Sequence, residues 1–191
     1  MTGAAVQLIA VGDAETRESA RKLIGEYLQW IADEAAARYG LAFDIDAMVD
    51  SDVEDRSKFY PPAGRFYLVR YDGHDVGVGC LKAITPAIAE VQRMYVQPHV
   101  RGVGAGRRLM EQLLADARAI GYRVVRLESL KFLAAAHTLY RSVGFVEIAP
   151  YAENSMKAYQ APDAEAAFRA SVVFMEARLE PESAGGEGLH R

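Results

Sequence analysis

Between Arg101 and Gly106 the chain reads Arg-Gly-Val-Gly-Ala-Gly, and an amphipathic segment opens directly after it. Glycine has no Cβ, so a run of three lets the backbone come close to a ligand. The first turn of a helix carries N–H groups without helical partners, and the helix dipole favours an anion there. Arg101, Arg107 and Arg108 add positive charge beside that turn. Those residue types at that spacing form a cradle for a diphosphate. Two common diphosphate loops do not fit. The dinucleotide-binding loop needs Gly-x-Gly-x-x-Gly, whereas the spacing here is Gly-x-Gly-x-Gly. The Walker loop needs Gly-Lys followed by Ser or Thr, which is absent from this segment.

Such a cradle needs a strand to deliver the loop and a helix to follow it. Glu90–Val96 reads as that strand, and Gly104–Ile120 as the helix, with Leu109, Met110, Leu113, Leu114, Ala117 and Ile120 on one face and Gly121 as its stop. Upstream, Val6–Val11 reads as a first strand. Asp13 or Thr16 caps a helix whose apolar face is Ala20, Leu23, Ile24, Tyr27, Leu28 and Ile31, and Gly40 ends it. Leu41–Arg56 is acidic and weakly patterned, suited to a second short helix. Arg65–Tyr71 and Val76–Ile84 form a hairpin about Asp72-Gly73. Downstream come a strand at Val124–Leu130, a helix at Ala134–Val143, and strands at Phe145–Ile148 and Val172–Leu179. The expected fold is a single α+β domain over residues 1–180, with 181–191 as a flexible, Gly- and Glu-rich tail.

Composition narrows the function. The 191 residues are 51% hydrophobic and 25% charged, a globular balance. The formal net charge of −4 argues against nucleic acid as a general partner, which needs a broad basic face. Cys80 is the one cysteine, so an internal disulfide and a cysteine-built metal site are both excluded. No segment approaches the ~18–20 apolar residues that span a bilayer, and the N-terminus has no basic stretch before its apolar run. A cytoplasmic protein without membrane or metal partners is expected.

Further motifs sharpen the loop's meaning. Arg101-x-x-Gly104-x-Gly106 resembles the coenzyme A pyrophosphate loop of the GNAT (GCN5-related N-acetyltransferase) superfamily, usually written Gln/Arg-x-x-Gly-x-Gly/Ala. The strand phrase Val91-Gln92-Arg93-Met94-Tyr95-Val96, Pro98 and the following helix resemble that superfamily's central motif. Leu139-Tyr140-Arg141-Ser142-Val143-Gly144-Phe145 resembles its second motif, Leu-Tyr-x-x-x-Gly-Phe. The resemblance covers Arg65 to Tyr151, and the N-terminal helix fits the layout loosely.

The resemblance implies a mixed, mostly antiparallel twisted sheet flanked by helices, with its fourth and fifth strands splayed. It implies acetyl-CoA as cofactor. The pantetheine arm would lie along Met94, Tyr95 and Val96, and the pyrophosphate on Arg101, Gly102, Val103, Gly104, Ala105, Gly106 and Arg107. A strand amide would polarise the thioester carbonyl, where attack builds negative charge. Tyr140 matches the tyrosine that protonates the leaving thiolate. Glu90, at the start of its strand, is the candidate general base, directly or through water; a solvated strand-end carboxylate is the equal alternative, and Glu128 is a second candidate. Leu133 stands where the family often has Asn, a contact that His137 or Ser129 would have to replace. His137 otherwise reads as a partly exposed helix residue, and Cys80 as a core thiol. The acceptor would be a primary amine on a small molecule or peptide. The acidic run Asp44, Asp46, Asp50, Asp52, Glu54 and Asp55 suits a cationic acceptor or is a solvated face. A homodimer is compatible with this layout, and a cofactor sensor without turnover or an enzyme for longer acyl chains would share the motifs.

Overall fold

The hairpin foreseen around Asp72-Gly73 is the middle of a larger sheet. The structure, a computed structural model, describes residues 5–151 and 165–179. Strands β1 Gln7–Ala10, β2 Arg65–Tyr71, β3 His74–Thr85, β4 Ile88–Val96, β5 Val124–Leu130, β6 Val146–Ile148 and β7 Val172–Arg178 form one sheet in the order β1-β2-β3-β4-β5-β7-β6. Every neighbouring pair is antiparallel except β4 and β5. The mixed, mostly antiparallel sheet expected from the sequence is therefore present.

The parallel pair is the feature that matters. Its ladder runs from Ile88 opposite Val124 to Glu90 opposite Arg126 and stops there, although β4 continues to Val96 and β5 to Leu130. Beyond Glu90 the two strands part and leave a wedge in the sheet. β4 also carries an irregularity against β3, where the register shifts between Val78 and Cys80 and Arg93 takes a φ of 56°. An extra residue of this kind bends a strand and redirects its side chains.

Helices cover both faces. Helix α1, Ala14–Tyr39, starts at Asp13, whose carboxylate accepts from Thr16 N at 2.8 Å, and ends at Gly40, whose φ of 67° suits glycine. It buries Ala20, Leu23, Ile24 and Leu28 with helices α2 (Ile45–Glu54) and α3 (Arg56–Phe59) against Leu68, Val78, Cys80 and Tyr95. Helix α4, Ala105–Ile120, covers the other face. Its Leu109, Met110 and Leu113 are completely buried, and burial of that kind stabilises by about 1.5–3 kcal/mol per side chain. Helix α5, Ala134–Ser142, sends Tyr140 into the same core.

Some boundaries differ from the sequence reading. β4 begins at Ile88 rather than Glu90, because Thr85 Oγ1 accepts from Ala87 N and Ile88 N and closes a tight turn. Helix α6, Glu165–Ser171, lies in the connection that the sequence reading left without an element. The tail at 181–191 lies outside the described residues, as do residues 152–164 of that connection. Among the described residues no helix is long and apolar enough to cross a membrane.

Candidate functional site

The glycine loop is built as its spacing requires. Gly102 and Gly104 adopt φ of 91° and 84°, left-handed values that a side chain resists. Gly104 is the N-cap of α4, so Ala105, Gly106 and Arg107 open the helix with N–H groups that helix geometry leaves without partners. A Cβ placed on Gly106 would meet nothing closer than Leu139 Cδ2 at 3.5 Å, so internal packing does not demand glycine there. The two flanking arginines are held. Arg101 donates to Val96 O at 3.3 Å with its guanidinium over the Trp30 ring, and Arg107 donates to Ser142 Oγ at 2.7 Å.

A groove runs from this loop along β4. Every residue expected to hold the cofactor lines it except Val103, which is 43% exposed to solvent. Its opposite wall comes from Phe132, Leu133 and the first turns of α5. A second, smaller cavity, partly open to solvent, lies on the far side of the wedge between β4 and β5. Groove and cavity share Tyr27, Met94, Leu133 and Tyr140, so they meet where the strands part.

Glu90 lines the cavity and is 1% exposed, which overturns the alternative of a solvated strand-end carboxylate. Its Oε2 accepts from Gln92 Nε2 at 2.6 Å and its Oε1 from the Tyr151 hydroxyl at 3.1 Å. Burial, with Glu90 beside it, pushes the Tyr151 phenol far above its ordinary range. Glu128 lines the same cavity from β5. Gln92 is itself buried, and among the described residues its Oε1 has no hydrogen-bond partner.

The acidic run resolves into structural duties. Asp44 and Asp55 cap α2 and α3, while Asp50 and Glu54 pair with Arg21. Asp52 is completely buried and accepts from both Lys58 Nζ and Arg93 Nε. Arg93 therefore does not join Arg101 and Arg107 at the glycine loop; it faces the cavity on the other side of β4's irregularity. None of the acidic residues from 44 to 55 lines the cavity, so the run gives no support to a cationic acceptor.

Tyr140 is buried where the two spaces meet, and burial, then Tyr27, raises its phenol above the ordinary 10, so it keeps its proton across the neutral range. Leu133 stands at the same junction. His137 is not the partly exposed residue expected: it is 5% exposed and its Nε2 lies 3.0 Å from Ser129 Oγ. Burial lowers its pKa from the ordinary value, with the Arg141 charge adding to the effect. The two candidates for the missing Asn contact are thus bonded to each other. Cys80 is fully buried in the α1-side core, where desolvation raises its thiol pKa. Among the described residues no group of three or more His, Cys, Asp or Glu side chains converges to hold a metal ion. Gln92, Tyr27, Tyr151 and the Asp52–Arg93 pair were not singled out as site residues from sequence. The partners in Asp52–Arg93 lie 41 positions apart, and no local pattern announces such a contact.

Comparison with known proteins agrees on one family. An acetyltransferase (GNAT) domain model matches residues 62–147. The chain is similar to an IAA acetyltransferase of Azospirillum brasilense, 30% identical over 140 residues that span 73% of this chain and 84% of that protein. It is 33% identical over 120 residues to the uncharacterized N-acetyltransferase YjgM of Escherichia coli K12, spanning 60% of this chain and 72% of that protein. In fold it resembles the PaiA N-acetyltransferase of Thermoplasma acidophilum, solved in complex with coenzyme A, with a TM-score of 0.63 at 16% identity over 92% of this chain and 99% of that one.

Proposed function

We propose that this chain, which belongs to the GNAT acetyltransferase family, transfers the acetyl group of acetyl-CoA directly to a primary amine held in the cavity beyond Met94. The observation that carries this reading is the junction: a groove ending at a helix N-terminus and a cavity holding two carboxylates meet at Tyr27, Met94, Leu133 and Tyr140. The groove's residues fit the cofactor, since the open space over Gly106 and the amides of α4's first turn suit a pyrophosphate. The thioester supplies an activated acetyl group at the junction.

Each step can then be assigned to a residue. The amides of Ala105, Gly106 and Arg107 would hold the pyrophosphate, and Arg101 would add charge. Among the described residues β4 has no partner strand beyond Glu90 on the β5 side, so its amides near Met94 and Val96 are available to the pantetheine arm and the carbonyl oxygen. Glu90 takes a proton from the substrate ammonium, which frees the nitrogen lone pair to form the new C–N bond; the nitrogen's second proton leaves as the amide forms and restores the Tyr140 hydroxyl. As the C–S bond breaks, Tyr140 gives its hydroxyl proton to the leaving sulfur; burial keeps that proton on the phenol until it is needed. Tyr151 and Gln92 position the Glu90 carboxylate.

The test is amine-dependent release of free thiol from acetyl-CoA. Release that saturates with an amine and vanishes without it supports direct transfer. Cofactor binding with no thiol release across a broad amine panel would make the protein a sensor rather than an enzyme.

A further inference from the structure

Gln92 and Arg93 are neighbours on a strand, yet both line the cavity. Successive strand residues ordinarily face opposite ways. Here the φ of 56° at Arg93 and the register shift against β3 turn the second side chain to the same side as the first. A hydrogen-bond acceptor and a cation are thereby set next to each other.

The acceptor is fixed in orientation. Gln92 Nε2 donates to Glu90, so Oε1 is the atom turned away, and it is buried without a partner among the described residues, in a residue only 7% exposed. A buried polar atom left unpaired costs about 1–3 kcal/mol, which a ligand's N–H would relieve. The cation has capacity left. A guanidinium carries five N–H donors in a planar fork, and Arg93 reaches Asp52 through Nε. Asp52 is shared with Lys58, so Arg93 does not hold that carboxylate alone. A fork of this kind suits a second carboxylate.

The rest of the cavity is apolar, with walls from Leu28, Ile31, Phe43, Ile45, Met48 and Leu127. Among the described residues that line it, Arg93 is the one cation, beside the carboxylates of Glu90 and Glu128. One acceptor carboxylate can therefore be matched, and a second cannot.

We propose that the acceptor is a free amino acid with an apolar side chain, its amine on Gln92 Oε1 and Glu90, its carboxylate on Arg93, and its side chain against the apolar walls. The proposal rests on the acetyl-transfer reading above. A peptide N-terminus lacks the nearby carboxylate, and an amino acid with an acidic side chain brings one too many.

Matched pairs test it on the wild-type enzyme at saturating acetyl-CoA. Phenylalanine is compared with phenethylamine and leucine with isopentylamine, which differ only in the carboxylate, with kcat/KM corrected for the free-amine fraction; aspartate is the acidic arm. The amino acids are expected to exceed their decarboxylated partners by at least about a hundredfold, as for a site built to bond a substrate group, and aspartate to fall well below leucine. Arg93→Gln should narrow that ratio to a few-fold, with Lys58 still pairing Asp52. Gln92→Met should raise KM for leucine. Retention of the thermal shift with acetyl-CoA shows that either variant is folded. Equal or better turnover of the simple amines overturns this inference and leaves acetyl transfer standing, and a preference for aspartate overturns its apolar half. If no amine of either kind is acetylated while the cofactor binds, the acetyl-transfer reading fails and the amino-acid proposal fails with it.

Discussion

Gly106→Glu separates cofactor binding from stability. Gly106 is the second residue of α4, and a Cβ there would meet only Leu139 Cδ2, at an ordinary contact distance of 3.5 Å. The loop motif accepts Ala at this position, so a larger, charged side chain is the informative change. In a helix glutamate is favoured over glycine by up to about 1 kcal/mol, less in the first turn, where the dipole favours its charge. The cofactor-free protein should therefore melt at the same temperature or a few degrees higher, since about 1 kcal/mol shifts a domain of this size by roughly 2–4 °C. The pyrophosphate should feel the new carboxylate directly. Displacing it from one amide removes a charge-assisted hydrogen bond worth about 1.5–3 kcal/mol. At about 1.4 kcal/mol per tenfold change, coenzyme A affinity should fall by roughly 12- to 140-fold. Calorimetric titration with coenzyme A and a melt of the cofactor-free protein read the two effects. An affinity within twofold of wild type would refute placement of the pyrophosphate on these amides. Gly104→Ala is less clean, because at its φ of 84° alanine costs about 1–2 kcal/mol of stability before any ligand is added.

Three further outcomes are expected. Tyr140→Phe should lower turnover by about ten- to a thousandfold while coenzyme A affinity stays near wild type; unchanged turnover in single-turnover kinetics would leave Tyr140 with a packing role alone. Glu90→Gln should lower turnover, keep the cofactor-induced thermal shift, and regain much of its deficit at high pH where free amine is abundant, with Glu128→Gln as the control; a pH–rate profile like that of wild type would move the base to Glu128 or to water. His137 has a folded pKa below its ordinary 6.5, so the unfolded chain binds the proton first and stability falls as pH drops below that value, with nothing lost above it. His137→Asn should flatten that acid-side decline in melting temperature, and an equally steep decline would assign it to other groups.

How far the sequence spoke depended on whether a feature was local. The glycine loop, the hairpin at Asp72-Gly73 and the apolar stripe of α4 each follow from neighbouring residues, and each is present. Resemblance supplied the splayed pair, and the ladder that stops at Glu90 bears it out. What stayed hidden was set by distant partners. Glu90 reads equally as a general base or a solvated strand end, because nothing nearby in sequence shows that Tyr151, 61 positions on, donates to it. Asp52 reads as one of an acidic run that suits a cationic acceptor or faces solvent, whereas in the fold Arg93 and Lys58 close on it. His137 reads as a helix-surface residue, yet the face of α5 that carries it turns to Ser129 on β5. The redirected side chain of Arg93 depends on a strand irregularity that no residue type in this segment announces.

The central claim is direct transfer from thioester to amine at the junction of groove and cavity. The most direct measurement is a single turnover with isotopically labelled acetyl-CoA and an apolar amino acid, followed by mass spectrometry of both protein and acceptor. The label should appear as an amide on the acceptor, one per thiol released, with none on the protein at any time. Label on the protein, or released as acetate while the amine is present, would contradict it.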